Sequence, residues 1–587
     1  MTAPSVESTV GTIVEPVAML RALPGMDPLD VQVATMLVRR GAETGERGVA
    51  IVLTAMLVSR ALRDGHSALT LAQLARQAGD VQAAAQHPAL LSLPLRDERW
   101  WQTHFDASAL VGPGQLVTPL VRHGGMLQFH RYFAAEQRIA AQIRVRLAAP
   151  VADAEVGAVP AFSIITGGPG TGKTTRVAAT LVAMVTDTPG LRVALAAPTG
   201  KAAARLTESI RLRIASDGIT AHASPEVQRA LRDLEARTLH RLLSYSGDTD
   251  TYRRTAANPL PYDLVIIDEA SMVDVLLLDA VLQALRPGAR LMLVGDHHQL
   301  SSVDAGDVLG VLCRAAADAM PEEPLHRAVT RLTTSWRFAG DAGIGALARA
   351  ILAGDGDAAL AAGRAVASSE PGNGAALVRV MSPDALTSPL EPVIPHLERC
   401  LAATSPEALL TALDAFRLLT PEREGRWGVR GLNAAVERWL ARHGRPVHEP
   451  WYHGRPVLVT ANDYATKVFN GDIGVVWTHD GRTAVHFRAL DGSLRSIAAG
   501  RLPAVETAWA LTVHKAQGSE FDDVVVVLPP EASRVMSREL LYTAVTRARR
   551  QVTIIGTDSA LRAAVTQPTQ RTSGLATALG GSLLAAG

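Results

Sequence analysis

Lysine is almost missing from this chain: only four of its 58 basic residues are lysines, Lys173, Lys201, Lys467 and Lys515. Cysteine is scarcer still. Cys313 and Cys400 stand far apart, with no CxxC and no Cys/His ligand spacing, which argues against a disulfide framework, a zinc site or an iron–sulfur cluster. Neither sign of charge prevails. The 58 basic and 57 acidic residues leave +1, so any strongly basic surface is local and balanced elsewhere. No uncharged apolar run reaches the roughly 18 residues that a membrane helix needs. The N-terminus also lacks a basic segment followed by an apolar one, so the chain reads as a soluble cytoplasmic protein. What it does have is apolar mass. Hydrophobic residues make up 48% of 587 positions, enough for sizeable cores in about three to five domains.

Three of the four lysines lie in compact motifs: Lys173 ends GGPGTGK, Lys201 sits in APTGKAA and Lys515 in HKAQGSEF. Where arginine is so strongly preferred, a surviving lysine marks a place that arginine does not serve. Lys173 has the clearest reason, because a compact ammonium enters a triphosphate cradle that a planar guanidinium fork would overfill. Gly167 to Thr174 fits G-x-x-x-x-G-K-[ST] in full, after the apolar run Phe162-Ser163-Ile164-Ile165 and before a helical segment. Gly167, Gly168, Pro169, Gly170, Thr171, Gly172, Lys173, Thr174 and Thr175 are therefore the expected nucleotide cradle. Backbone N–H groups of Gly168, Gly170 and Gly172 would face phosphate oxygens, aided by the positive end of the following helix.

A second apolar run, 264–267, delivers Asp268 and Glu269 to a sheet edge. Asp268 is placed to hold Mg²⁺ with the Thr174 hydroxyl, and Glu269 to orient and deprotonate a water. Gln299, in Gly295-Asp296-His297-His298-Gln299, is placed to sense a γ-phosphate. His297 and His298 invite a metal reading, but neighbours at a strand end point apart, and they read as solvated or DNA-facing.

The spacing predicts an α/β chain. Residues 1–120 repeat at helical spacing without a catalytic signature, interrupted by Pro88, Pro94 and Gly112-Pro113-Gly114, and read as a mostly helical docking or support domain. Over 121–345, short β-branched runs at 163–165, 193–196, 264–267 and 291–294 alternate with helical patterns, the rhythm of a parallel sheet that binds ligands at the carboxyl ends of its strands. A second such domain is expected over 346–452 and 506–575, with strands at 416–419, 524–528 and 552–555. Between its halves, 453–505 carries short strands divided by Asn470-Gly471, Asp480-Gly481 and Asp491-Gly492, favoured hairpin turns that suggest a small inserted antiparallel barrel. Residues 576–587 read as a flexible tail.

The ordered set GGPGTGKTT, APTGKAA, TLHRLL, DEASMVD, GDHHQLSSVDAG, TTSWRF, HKAQGSEF and YTAVTRARR resembles superfamily 1 helicases of the RecD type. The motifs run from Gly167 to Arg550, about two-thirds of the chain. The resemblance implies two RecA-like P-loop parallel-sheet domains sharing one ATP at their interface. It implies that Arg337 and Arg547 are γ-phosphate arginines, with Arg549 and Arg550 competing for the second role. Arginine so placed stabilises a loose phosphoryl-transfer transition state by about 10³–10⁵ in rate. Thr199, Lys201, Thr238, His240, Thr512, His514 and Ser519 fall on DNA-contact motifs. Of these, Thr199 sits where a strand gives way to a helix N-terminus, a phosphate site in its own right. Glu520 falls where related helicases touch the nucleotide ribose, and Gln137 offers an adenine-reading glutamine upstream.

Residues 244–260 lie where the family carries a small duplex-splitting pin, with a surface loop as the alternative. The insertion resembles the family's SH3-like element, which helps hold single-stranded DNA; Lys467, Tyr464 and Phe469 offer charge and a stacking face, though both aromatics equally suit a core. No compact carboxylate-rich nuclease signature appears, so the chain itself is not expected to cut DNA. The short region before the phosphate loop shows no hairpin repeat like that of free-standing relatives, which favours the subunit form within a RecBCD-type exodeoxyribonuclease V. The implied cofactors are ATP and Mg²⁺. The implied partners are single-stranded DNA, duplex ends, and RecB-like and RecC-like subunits, without a membrane. The implied activity is 5′→3′ DNA unwinding in double-strand break processing and recombinational repair. A free-standing helicase on DNA or RNA, and a non-translocating P-loop binding module, are the alternatives.

Overall fold

The structure, a computed structural model, describes residues 25–41, 43–85, 88–149, 160–216, 224–338, 343–365, 377–381, 390–463, 465–489, 492–530 and 535–580. The N-terminal unit is built around helix α1 (Pro28–Gly41) and helix α2 (Gly45–Arg63). From Ala50 to Ser59 every residue of α2 is buried, because its sequence is apolar on all sides and such a helix can only be central. Asp30 is fully buried on α1, but it accepts from Ser59 Oγ at 2.7 Å and is paired with Arg63, so the buried charge is satisfied.

This unit is not purely helical. Strands β1 (Leu69–Thr70), β2 (Val111–Gly112), β3 (Leu120–His123) and β4 (Met126–Phe129) form a small sheet in the order β1-β4-β3-β2. The boundary expected at residue 120 therefore falls inside a hairpin, since Leu120 pairs with Phe129 and Val121 with Gln128. The unit ends at Phe129, where helix α3 (His130–Leu147) begins.

Strands β5 (Phe162–Gly167), β6 (Val193–Ala197) and β7 (Ala236–Thr238) open the first large sheet; a two-stranded hairpin of β8 (Tyr245–Ser246) and β9 (Thr251–Tyr252) follows, and β10 (Leu264–Ile267), β11 (Arg290–Gly295) and β12 (Val329–Leu332) complete the sheet. The order is β12-β5-β11-β10-β6-β7, all parallel. All four residues of β10 are buried, as befits an unbroken apolar run covered on both faces. Helix α4 (Val275–Ala284), capped by Asp274 onto Leu277 N, closes one face with α3 against it.

The second large sheet combines β13 (Leu377–Met381), β14 (Phe416–Thr420) and three later strands. Between them the insertion supplies β15 (Pro456–Val459), β16 (Ile473–His479), β17 (Arg482–Arg488), β18 (Leu494–Ala498) and β19 (Val505–Thr507) as a five-stranded antiparallel sheet in the order β18-β17-β16-β15-β19. Asp480 and Gly481 both have positive φ, 48° and 72°, which is what a two-residue type I′ turn requires between His479 and Arg482. The main chain then returns through β20 (Ala510–Thr512), β21 (Phe521–Val527) and β22 (Ala548–Ile555), giving the parallel order β13-β22-β21-β14-β20.

The expected tail begins differently. Leu575–Ala578 is a helical turn with Leu575, Ala576 and Ala578 buried in the first domain's core beside Ile139 and Ile143. These apolar residues are drawn in because α3 leaves an uncovered stripe for them. Residues 581–587 lie outside the described residues. Among the described residues, no helix is long and apolar enough to cross a membrane.

Candidate active site

The carboxyl ends of β5 and β10 meet the second domain at a cleft of about 930 Å³. Pro169 to Thr175 line it with Asp268, Glu269, Gln299, Arg337, Glu520 and Arg547. Gly167 and Gly168 stand behind the lining, and their carbonyls accept from Lys173 Nζ at 2.6 and 3.0 Å. The loop needs its glycines for different reasons. A Cβ at Gly167 would lie 2.5 Å from the Leu332 carbonyl oxygen, whereas Gly170 has φ +72° and would drive a Cβ onto that of Arg337. That closeness arises because Trp336 N donates to Gly170 O at 2.9 Å and Ser335 Oγ to Pro169 O at 3.0 Å. The segment carrying Arg337 is thus fastened to the phosphate loop itself.

Asp268 follows β10, its N–H bonded to Ala196 O at 2.9 Å. Burial, and then the charge of Glu269, push its carboxyl up to about 6. Glu269 has φ +52°, a left-handed conformation that costs a non-glycine residue energy and that gathers at functional sites. Gln299 Nε2 donates to Asp296 Oδ2 at 3.2 Å, and the same oxygen accepts from Tyr542 OH at 3.0 Å. Leu300 N donates to Thr543 Oγ1 at 2.8 Å and Leu300 O accepts from Gln517 Nε2 at 2.8 Å. The loop beside the acids is therefore stitched to the second domain at three points.

Arg547 is buried, with Nε on Thr543 O and Nη1 on Ser519 O, both at 3.1 Å. Burial lowers its pKa, and the charges of Glu269 and Glu520 oppose that shift. Of its two rivals, Arg549 reaches Glu520 at 3.3 Å from outside the cleft lining, and Arg550 is turned to Asp523 at 2.6 Å. Arg337 grips Glu520 with two hydrogen bonds of 2.7 and 3.1 Å, and Arg205 adds a third contact at 2.9 Å. Burial works against the Glu520 charge, yet Arg205 and Arg337 hold its carboxyl down to about 2. Gln137 is not in the cleft lining. Its helix α3 is laid along α4, with Arg138 Nη2 bonded to Asp279 Oδ2 at 2.6 Å. The sequence reading missed Arg205 and Trp336, which both line the cleft. Trp336 is 77% exposed there; its place directly before Arg337 was the available signal, while Arg205 had none.

The chain matches the family models described as an AAA domain over 154–305, a UvrD-like helicase C-terminal domain over 507–555 and the N-terminal domain of RecBCD enzyme subunit RecD over 24–127. The RecBCD enzyme subunit RecD of Mycolicibacterium smegmatis is 39% identical over 582 residues, 94% of this chain and 97% of that one. The chain belongs to the RecD family of superfamily 1 helicases. The ATP-dependent RecD2 DNA helicase of Deinococcus radiodurans is 32% identical over 481 residues, which is 77% of this RecD-family chain but 57% of that protein. Bacteroides Pif1 bound to single-stranded DNA is 17% identical, covering 72% and 92% of the two chains, with a TM-score of 0.37.

The residues expected to contact DNA are less uniform than the cleft. Thr199, Thr238 and Thr512 each accept from a backbone N–H three residues on, at 3.2, 3.2 and 3.3 Å, and so cap the turns that follow. His240 is exposed and its ring meets Tyr245 of the β8–β9 hairpin edge-on at 5.3 Å. The 244–260 segment is thus an ordered hairpin with aromatic support, rather than a bare loop. Three of these residues are wholly or partly buried. Lys201 turns inward, Nζ 5.8 Å from the Phe521 ring centre, and burial takes its pKa down to about 8. Ser519 is buried and offers Arg547 its carbonyl. His514 is held at about 4 by burial and by Arg571. In the insertion, Lys467 is exposed, Phe469 lies under Arg241 of the first domain at 4.3 Å, and Tyr464 falls outside the described residues.

His298 is exposed as expected, while His297 is partly buried rather than open to solvent. Its Nδ1 is 2.7 Å from Thr166 Oγ1 behind the phosphate loop, its ring lies 3.9 Å from that of His298 rather than apart from it, and burial brings its pKa down to about 4. Among the described residues no three His, Cys, Asp or Glu side chains gather as a metal site. A folded-state pKa below the unfolded 6.5 means that the unfolded chain binds more protons between the two values, so stability is present above pH 6.5 and lost as pH falls towards 4. His297, His396 and His514, each at about 4, act in that same direction, and Asp268, raised to about 6, opposes them over part of the interval. Thermal unfolding of the full chain is expected to shift to lower temperature from pH 7 to pH 5; an unchanged or rising melting temperature over that interval would contradict the buried-histidine assignment.

Proposed function

We propose that this chain is an ATP-driven, 5′→3′ single-strand DNA motor working inside a RecBCD-type helicase–nuclease on duplex ends, in double-strand break processing and recombinational repair. The observation that carries the reading is the composite cleft. Its phosphate cradle and acids come from the first sheet domain, Arg547 and Glu520 from the second, so the cleft is complete only when the two approach. Binding ATP closes the domains; hydrolysis releases them, and a strand gripped by both advances.

Thr174 and Asp268 would hold Mg²⁺. Two oxygen donors suit an ion that keeps waters and takes its remaining ligands from phosphates, and the ion would neutralise charge on the transferring phosphoryl group. Glu269 would orient and deprotonate the water, with Gln299 beside it. Trp336, exposed in the cleft lining, offers an indole face for the adenine ring, whereas Gln137 lies outside that lining. The insertion would act as the SH3-like element over the strand, and the β8–β9 hairpin as the pin. The N-terminal unit, with its own core and no chemistry, would dock on a RecC-like subunit, alongside a RecB-like one. Near-complete overlap with a RecD subunit, against 57% of the RecD2 helicase, supports a subunit over a free-standing enzyme.

Duplexes with a 5′ or a 3′ single-stranded tail test this, with and without the two candidate subunits. Strand-stimulated ATP hydrolysis, unwinding from the 5′ tail and stable co-purification are expected. Hydrolysis indifferent to single strands would overturn the motor, and unwinding from the 3′ tail alone would overturn the polarity.

A further inference from the structure

Beyond helix Asp558–Thr566 the chain is still part of the second sheet domain. Arg538 N donates to Gln567 O at 2.8 Å, Thr569 N to Glu539 Oε2 at 2.6 Å, and Thr569 Oγ1 to Ser537 Oγ at 2.8 Å. Two residues later it has changed body. Arg571 Nη1 donates to Ser302 O at 2.6 Å on the loop that follows Gln299, and lies 3.4 Å from Asp304 O. Thr572 is held by the N-terminal unit: its N–H donates to His66 Nδ1 at 3.0 Å, its carbonyl accepts from Ser67 N at 3.0 Å, and its hydroxyl bonds Gln73. Ser573 Oγ donates to Glu136 Oε1 at 2.6 Å, an oxygen that also accepts from Ser67 Oγ at 2.6 Å, and the next residues sink into the first domain's core.

The same place is crowded from two other sides. Gly65 of the N-terminal unit covers the guanidinium so closely that a Cβ there would lie 2.5 Å from Arg571 Cζ, and Gly65 O accepts from Gly306 N at 2.9 Å on the Gln299 loop. Burial lowers the Arg571 pKa, with Asp307 and Asp304 opposing, and its buried Nε has no hydrogen-bond partner. Solvent contacts would serve this guanidinium better; it is kept there by position. Its charge is also felt by His514, on the HKAQGSEF turn.

We propose that residues 567–578 form a strap across three bodies, and that Arg571 is a positioning residue coupling movement of the second domain to the Gln299 loop and to the N-terminal unit. Strain at an ATP-driven interface passes through contacts shared by the moving parts, and between Thr569 and Ser573 the chain bonds the second sheet domain, the Gln299 loop of the first and the N-terminal unit. The proposal rests on the reading of the chain as a translocating motor, which the unaltered protein tests separately.

The test uses full-length protein on single strands biotinylated at either end, reading ATP hydrolysis and streptavidin displacement together. Arg571 lies outside the cleft lining, so Arg571→Ala should keep strand-saturated hydrolysis within about twofold while displacement per ATP falls on the order of tenfold, the size of an ordinary coupling between sites. Gly65→Ala approaches the same guanidinium from the N-terminal unit and should give the same split, and it carries the test if Arg571→Ala fails to fold. Displacement per ATP at the wild-type value in a folded variant, or hydrolysis and displacement lost in equal proportion, overturns the proposal. Failure of the unaltered protein to displace streptavidin at all overturns the motor reading instead.

Discussion

Replacing Arg547 by alanine is expected to lower kcat for ATP hydrolysis by about 10³-fold or more while KM for ATP changes by only a few fold. The guanidinium is buried between Thr543 O and Ser519 O and carries the opposing charges of Glu269 and Glu520. Its place is fixed before any phosphate arrives, so it contributes most when charge builds on the transferring group, not when ATP first binds. Lys173→Gln should behave differently, losing nucleotide affinity as well as turnover, because Lys173 sits on the cradle itself. Arg547→Lys guards against a folding artefact, since it retains the buried charge but loses the fork. Steady-state kinetics with single-stranded DNA saturating decide the matter. A kcat near the unaltered value in folded Arg547→Ala would remove Arg547 from the transition state.

Hydrogen bonds across the interface tie Arg547's surroundings to the loop beside the phosphate cradle. Tyr542, Thr543 and Gln517 of the second domain all bond the Asp296–Leu300 loop of the first. Arg205 of the first domain donates to Gly518 O at 2.7 Å and meets Glu520, the residues on either side of Ser519, whose carbonyl holds Arg547. Gln299 is therefore linked to Arg547 through three hydrogen bonds in series, on the route Asp296–Tyr542–Thr543. Glu520 has a plain part in this. With Arg205, Arg337 and Arg549 all on its carboxylate, it gathers cationic groups that a triphosphate would also attract.

Much of this site was legible because phosphate chemistry constrains sequence tightly. A cradle needs glycines at fixed offsets, an acid pair needs a strand to carry it, and both patterns are local. The strands at 162–167, 193–197, 264–267 and 290–295 were legible for the same reason: each is a buried apolar run ending in a polar motif. Ala510–Thr512 and Leu377–Met381 were not, being short strands whose identity depends on parallel partners far away in sequence, Leu418–Thr420 and Gln551–Ile555. The inward turn of Lys201 depends on Phe521, some three hundred residues on, and no local pattern announces it. Burial of Ala576 and Ala578 was hidden likewise, since alanines after a glycine read as a tail until α3 supplies the surface that receives them. Gln137 is the opposite case: its residue type suits an adenine edge, while the helix carrying it packs along α4 and the residue does not line the cleft. Local chemistry was readable and long-range packing was not.

Glu269→Gln should separate binding from chemistry more sharply than any other single change. The side chain keeps its shape and its backbone geometry at φ +52°, but an amide cannot take a proton from water. Loss of a general base lowers kcat by about 10²–10⁴. Affinity moves the other way. Asp268 is pushed up to about 6 by burial and then by the negative charge of Glu269; removing that charge lowers the Asp268 pKa and leaves its carboxylate more fully ionised below pH 7, ready for a cation. Mg²⁺–ATP should therefore bind Glu269→Gln at least as tightly as the unaltered protein, and the advantage should grow as pH drops from 7 towards 6, where unaltered Asp268 takes up its proton. Equilibrium titration with a fluorescent ATP analogue, beside single-turnover hydrolysis, reads both quantities. Hydrolysis retained within a few fold would deny Glu269 its role as base. Affinity falling together with hydrolysis would mean that Glu269, and not Asp268 with Thr174, holds the metal.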